Sequence, residues 1–176
     1  MNKEKEKKYD NLFMDIAIRS SEMSFCERAQ VGSVIVKDNR VVVNAWNGTV
    51  SGADNCCEEE VLRCQECDAR FDEDNFNGHY QCPHCNNRVS KGTKTKNNVV
   101  HAEANAILFA AKNGIQTEGC TMYVTLAPCI ECAKMIKQAG ITRVVYDFVY
   151  RKSAGIEFLK RNNVEIESIE DIKGKK

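Results

Sequence analysis

The chain lacks a surplus of either charge: 25 Lys plus Arg stand against 25 Asp plus Glu in 176 residues. Proteins that hold nucleic acid or an anionic membrane by charge carry a basic excess, so the balance argues against both as partners. No apolar run approaches the roughly 20 residues needed to cross a bilayer. Met1 to Lys8 alternate in charge without an apolar stretch, so they read as a solvated arm and not as a signal peptide. A cytoplasmic protein without a membrane partner is expected. No repeat at solenoid periods is present either. What the chain does have is cysteine, ten in all. Without a secretory signal these thiols are better explained as metal ligands than as disulfides.

The length suits one domain with a small insertion and is enough to bury a sizeable core. Leu12, Phe13, Ile16 and Ala17 recur at helical spacing, which predicts a helix over 11–21. β-Branched runs over 31–36 and 41–43, joined by a turn at Asp38, Asn39 and Arg40, predict a hairpin. Farther on, helices are expected over 104–112, 130–138 and 154–161, and strands over 121–126, 141–146 and 164–166. A helix and hairpin followed by repeated β-α units imply a mixed sheet covered by helices.

Two fragments carry the chemistry, His101-Ala102-Glu103 and Pro128-Cys129-Ile130-Glu131-Cys132. One His and two Cys leave the fourth tetrahedral position of a zinc ion open to water, the mark of a catalytic site. Glu103 lies two residues from the histidine, close enough to carry protons beside the metal without ligating it. A lone His-x-Glu is most often a surface dipeptide, and a Cys-x-x-Cys can be redox-active. Here the cysteines follow an apolar strand and open an amphipathic helix, and the histidine opens another. Two helix N-termini facing one point make a zinc cradle.

Between Gly52 and Asn98 the periodicity lapses and a second metal pattern takes its place: Cys64 and Cys67, then Cys82 and Cys85, with 14 residues between the pairs. Four thiolates close a coordination sphere, so this zinc-ribbon signal, placed as an insertion over 58–97, predicts a structural zinc. Ribbons often bind nucleic acid, but residues 51–100 hold nine acidic against six basic side chains, which favours scaffolding or a subunit contact. Cys26, Cys56 and Cys57 are either a further metal site or small buried residues, and Cys120 has no partner pattern. His79 and His84 read as solvated or supporting residues, since four cysteines already satisfy the ribbon metal.

The stretch Arg28-Ala29-Gln30-Val31-Gly32-Ser33-Val34-Ile35-Val36-Lys37-Asp38, then Asn47-Gly48-Thr49, the zinc fragment with Asn105-Ala106-Ile107, and Tyr123-Val124-Thr125-Leu126-Ala127-Pro128-Cys129 resemble the deoxycytidylate (dCMP) deaminases, most closely the bacteriophage type. The likeness covers nearly all the chain outside the ribbon. His-x-Glu with Pro-Cys-x-x-Cys is itself the signature of zinc-dependent base deaminases. The resemblance implies a single α/β domain over 1–176, with a three-layer α-β-α cytidine deaminase fold around a mixed five-stranded sheet. It implies an allosteric hexamer of the host cytoplasm that converts dCMP to dUMP, with dCTP and dTTP as effectors.

By the same resemblance His101, Cys129 and Cys132 hold a catalytic zinc, distinct from the structural zinc of the ribbon, and Glu103 is the proton shuttle. An activated water attacks cytosine C4, Glu103 protonates N3 and ammonia leaves. The Ala102 backbone would contact the pyrimidine carbonyl and the Ala127 carbonyl the departing amine. Asn47 would fix the sugar, although Asn-Gly is also a common hairpin turn, and Tyr150 would cover the nucleotide. Arg28, Lys37 and Arg151 are the candidate phosphate cations. The chain departs from the family in having Ala45-Trp46-Asn47-Gly48 and Val50 where Gly-Tyr-Asn-Gly and a proline are common. The alternatives are another zinc deaminase, acting on cytidine, tRNA adenosine or single-stranded nucleic acid, or a zinc module without activity.

Overall fold

A computed structural model describes residues 2–71, 81–149 and 154–174, so His79, Tyr150 and Arg151 lie outside the described residues. The first helix, α1 (Lys3–Ser21), takes in most of the segment expected as a solvated arm. Asn2 caps it by accepting from the Glu4 amide, and Glu4 pairs with Lys8 one turn on. Capping and i,i+4 pairing stabilise a helix that lacks an apolar pattern, which is why periodicity missed this start. Toward its other end Gly32 admits α1 to the sheet, because a Cβ there would stand 2.0 Å from the Ala17 carbonyl oxygen.

β1 (Gly32–Lys37) and β2 (Arg40–Trp46) pair antiparallel across Asp38 and Asn39. Both turn residues take positive φ, 49° and 57°, the twist that a two-residue hairpin loop needs. The chain then forms β3 (Gly48–Thr49), β4 (Glu58–Cys64), β5 (Arg70–Phe71), β6 (Val89–Thr95) and β7 (Val99–Val100) before α2 (Ala102–Lys112). The remaining elements are β8 (Thr121–Leu126), α3 (Ile130–Gln138), β9 (Arg143–Phe148), α4 (Ala154–Arg161), β10 (Glu165–Ser168) and α5 (Ile169–Gly174).

The main sheet runs β10-β9-β8-β1-β2, with β1 antiparallel to both neighbours and β8, β9 and β10 mutually parallel. Because successive side chains on a strand point to opposite faces, Val34 and Val36 pack with Phe13, Met14 and Ala17 of α1 and Ile169 and Ile172 of α5. Ile35, Met122, Val124 and Val144 pack instead with Ala106, Ile136 and Leu159 of α2, α3 and α4. This is the three-layer α/β architecture with a mixed five-stranded sheet. Under α1, Asp10 is 2 % exposed and takes bonds of 2.7 and 3.0 Å from the Arg143 guanidinium and 2.6 Å from the Tyr123 hydroxyl. Burial, and then the Asp10 hydrogen bond and charge, push the Tyr123 hydroxyl well above its ordinary pKa.

A separate sheet, β5-β4-β6, leaves the main body through a two-pair stem in which Gly48 faces Val100 and Thr49 faces Val99. Thus β3 follows Asn47 directly and β7 directly precedes His101. The cysteine expectation needs correcting beside this stem, because Cys26 and Cys57 are joined by a disulfide with a Cα–Cα distance of 5.0 Å. The start of β4 meets the loop after α1, which brings together two buried cysteines 31 residues apart in sequence. Cys56 remains an exposed thiol.

Candidate active site

His101 occupies the N-cap of α2, where serine, threonine, aspartate or asparagine would ordinarily bond to the helix backbone. Its side chain makes no capping bond. The ring instead turns its Nδ1 to 3.6 Å from Cys129 Sγ and 3.4 Å from Cys132 Sγ. Cys129 is in turn the N-cap of α3, accepting from the Cys132 amide. α4 closes on this turn because residue 155 is glycine: a Cβ there would meet the Pro128 carbonyl oxygen at 2.0 Å.

The three ligand atoms lie within 4.8 Å of one another. Ligands around a tetrahedral zinc, with bonds near 2.0 Å to nitrogen and 2.3 Å to sulfur, stand about 3.5 to 3.8 Å apart, so the set fits the ion. The Cys132 thiol and His101 draw the Cys129 pKa down to about 3. The hydrogen bond with Cys129, together with burial, pushes the Cys132 thiol up. A hydrogen bond with Cys129 also raises the His101 imidazole.

Glu103 is 4 % exposed, in the first turn of α2. Burial raises its pKa, while its carboxylate accepts from its own amide and contacts the Cys132 thiol. The acid therefore stands against a metal ligand without belonging to the ligand cluster. Ala102 is the first residue of α2, where a helix leaves its amide without an intrahelical partner. Ala127 lies between β8 and α3 and donates its amide to the Phe148 carbonyl at 2.7 Å.

Asn47 is buried and already occupied: it accepts from the Val31 amide at 2.8 Å and donates to the Ala29 carbonyl at 2.9 Å. An asparagine side chain then retains one N–H and one lone pair for a ligand. Asn105 donates to the Trp46 carbonyl at 2.8 Å, tying α2 to the residue before Asn47. Lys37 is not brought to this place. It lies at the hairpin end of β1, remote from Gly32 and Ser33, and bonds to Gln116. Arg28 bonds to Glu58 and Thr95 at the base of the second sheet.

In that sheet Cys64 and Cys85 stand 3.4 Å apart and Cys67 and Cys82 3.6 Å, a spacing that fits a four-sulfur tetrahedron. The residue after each pair, Asp68 and Asn86, takes a positive φ of 58°, so the two cysteine turns share one geometry. The Cys67 amide helps lower the Cys64 pKa to about 6, favouring the thiolate that binds metal. His84 packs edge-on to Phe71 and is not among the ligands.

Residues 7–148 match the cytidine and deoxycytidylate deaminase zinc-binding region. Deoxycytidylate deaminase of phage T4 is 37% identical over 155 residues, which cover 80% of this chain and 78% of that protein. The phage T2 deoxycytidylate deaminase is 35% identical, covering 92% and 96%. The crystal structure of dCMP deaminase from cyanophage S-TIM5 in complex with dCMP and dUMP matches with a TM-score of 0.68 at 32% identity, covering 90% of this chain and 94% of that one.

Proposed function

The chain belongs to the cytidine and deoxycytidylate deaminase family, and on that footing we propose that it hydrolyses dCMP to dUMP and ammonia. The observation that carries this reading is the buried Glu103 carboxylate held against an open three-ligand cluster. His101, Cys129 and Cys132 would hold a zinc ion, which when bound would supply the Lewis acidity that ionises a water near neutral pH. Glu103 takes the proton from that attacking water and delivers it to N3 as the oxygen bonds to C4. It then moves a proton to the exocyclic nitrogen, the C4–N bond breaks, ammonia leaves and the C4 carbonyl of dUMP remains.

In this reading the Ala102 amide donates to the pyrimidine carbonyl and the Ala127 carbonyl accepts from the amine. The spare N–H of Asn47 is available to the sugar. Tyr150 covers the nucleotide in this reading, and Arg28 and Arg151 remain the phosphate candidates. The ribbon cysteines hold a second, structural zinc. Assembly into a hexamer and response to dCTP and dTTP belong to the same proposal, with Leu108 and Phe109 offering exposed apolar surface for assembly.

Ammonia release on dCMP, CMP, deoxycytidine and single-stranded DNA tests the reading. Preference for dCMP over deoxycytidine of at least about tenfold in kcat/KM is expected, since one charge-assisted phosphate contact supplies that much, and salt should shrink it. Equal rates on the nucleoside would move the chain to the cytidine deaminases. Preferred turnover of DNA would refute the substrate.

A further inference from the structure

Ser33 is the buried polar side chain of β1 and lies on the same face as Ile35, toward the α2 layer. It is 0 % exposed and pairs in the sheet with Ala45 and Val124. A hydroxyl among apolar neighbours costs stability unless it is bonded, and packing alone would accept alanine here. Its partner is specific: Ser33 Oγ donates to the Ala102 carbonyl at 2.9 Å.

That carbonyl is the first of α2 and also receives the helix's own bond from four residues on, so the helix does not need the serine in order to form. The opposite end of the same peptide group is the Glu103 amide, which donates to the Glu103 carboxylate. A peptide group is planar, so fixing its oxygen also fixes the direction of its N–H. We propose that Ser33 is a positioning residue for Glu103, holding the 102–103 peptide so that its N–H keeps the carboxylate aimed at the reacting atoms. The inference rests on the proton-shuttle reading of Glu103. Asn105 anchors the helix to β2 through Trp46, but it does not touch this peptide.

The full zinc-loaded chain and its Ser33→Ala, Ser33→Thr and Glu103→Gln variants test the assignment. Misplacement of a catalytic group by a fraction of an ångström is expensive, so Ser33→Ala should lower kcat on dCMP roughly tenfold with KM within about twofold. Zinc content should not change. Ser33→Thr, which retains the hydroxyl, should recover most of kcat even if its extra methyl lowers the melting temperature. Combined with Glu103→Gln, the alanine change should have no further effect, because both act through one group. A high-resolution crystal structure of Ser33→Ala should show the Glu103 carboxylate displaced from its own amide.

An unchanged kcat, equal losses in the alanine and threonine variants, or additive losses in the double variant would overturn the assignment. A wild-type chain silent on dCMP would instead sink the functional reading. The Glu103 conformation in the Ser33→Ala crystal would still decide the positioning role, and an unmoved carboxylate would refute it.

Discussion

In the His101, Cys129 and Cys132 cluster each ligand stands at or just inside a helix N-terminus, and those helices pack on the five-stranded sheet through Ala106, Ile136 and Val144. The four ribbon cysteines stand instead on two tight turns beside a buried group of Leu62, Cys64, Cys82 and Val89, which includes two of those cysteines. The first framework is held by apolar burial with or without an ion. Among the described residues the second buries little apolar surface apart from its sulfurs, so on the proposed reading its order would depend on the metal. On the two-zinc proposal, one chain would thus contain a metal site made by the fold and a small fold made by the metal.

The hardest blow to this contrast would come from Glu103→Gln. Turnover of dCMP should fall on the order of a hundred- to ten-thousand-fold while both zincs stay bound, because the acid moves protons and ligates nothing. Metal analysis beside steady-state rates would check it, and retention of more than about a tenth of the rate would contradict the shuttle role.

Zinc removal should separate the two regions directly. Cys82→Ser should reduce zinc from about two to about one per chain and open the segment between β4 and β6 to protease, as expected where metal binding supplies the folding energy. The zinc retained should support most of the dCMP turnover. Cys132→Ser should also leave about one zinc, now in the ribbon, with no turnover. If Cys82→Ser abolished turnover and precipitated the chain, the two frameworks would not be independent.

A smaller effect is expected from Asp10→Asn, which removes the closest of the three carboxylates, Asp10, Glu165 and Glu167, that pair with the largely buried Arg143. Breaking such a pair costs about 3 kcal/mol, so a chain of this length should melt on the order of 10 °C lower. Calorimetry should show this loss in the main transition, with ribbon zinc unaltered.

Much of the active site was legible because its residues are tied to periodic elements. Apolar strand β8 fixes where Cys129 and Cys132 fall, and the alanine-rich face of α2 fixes His101 and Glu103. The ribbon strands were illegible for the opposite reason. Glu59 faces Lys94 and Glu60 pairs with Lys91, so β4 and β6 are joined by opposite charges across the ladder and show no apolar alternation. The Cys26–Cys57 disulfide and the Arg143 bond to Asp10, 133 residues away in sequence, are products of tertiary approach with no local signal. Ser33 sat unremarked inside a valine run, since only the helix that lands on it gives its hydroxyl a task.

The short stem of β3 and β7 has a consequence for how this chain can change. Gly48 paired with Val100, Thr49 with Val99, and the Val50 amide with the Asn98 carbonyl bring the two ends of the insertion together at a seam. Because closing a longer loop adds free energy only with the logarithm of its length, what lies beyond a closed seam can lengthen, shorten or be exchanged cheaply. Asn47 and His101 flank that seam from inside. The ribbon is therefore a replaceable cassette: a tight turn spliced between residues 49 and 99 would cut the Cys26–Cys57 disulfide and the Arg28 bonds to Glu58 and Thr95, but should leave the catalytic ligands where they stand.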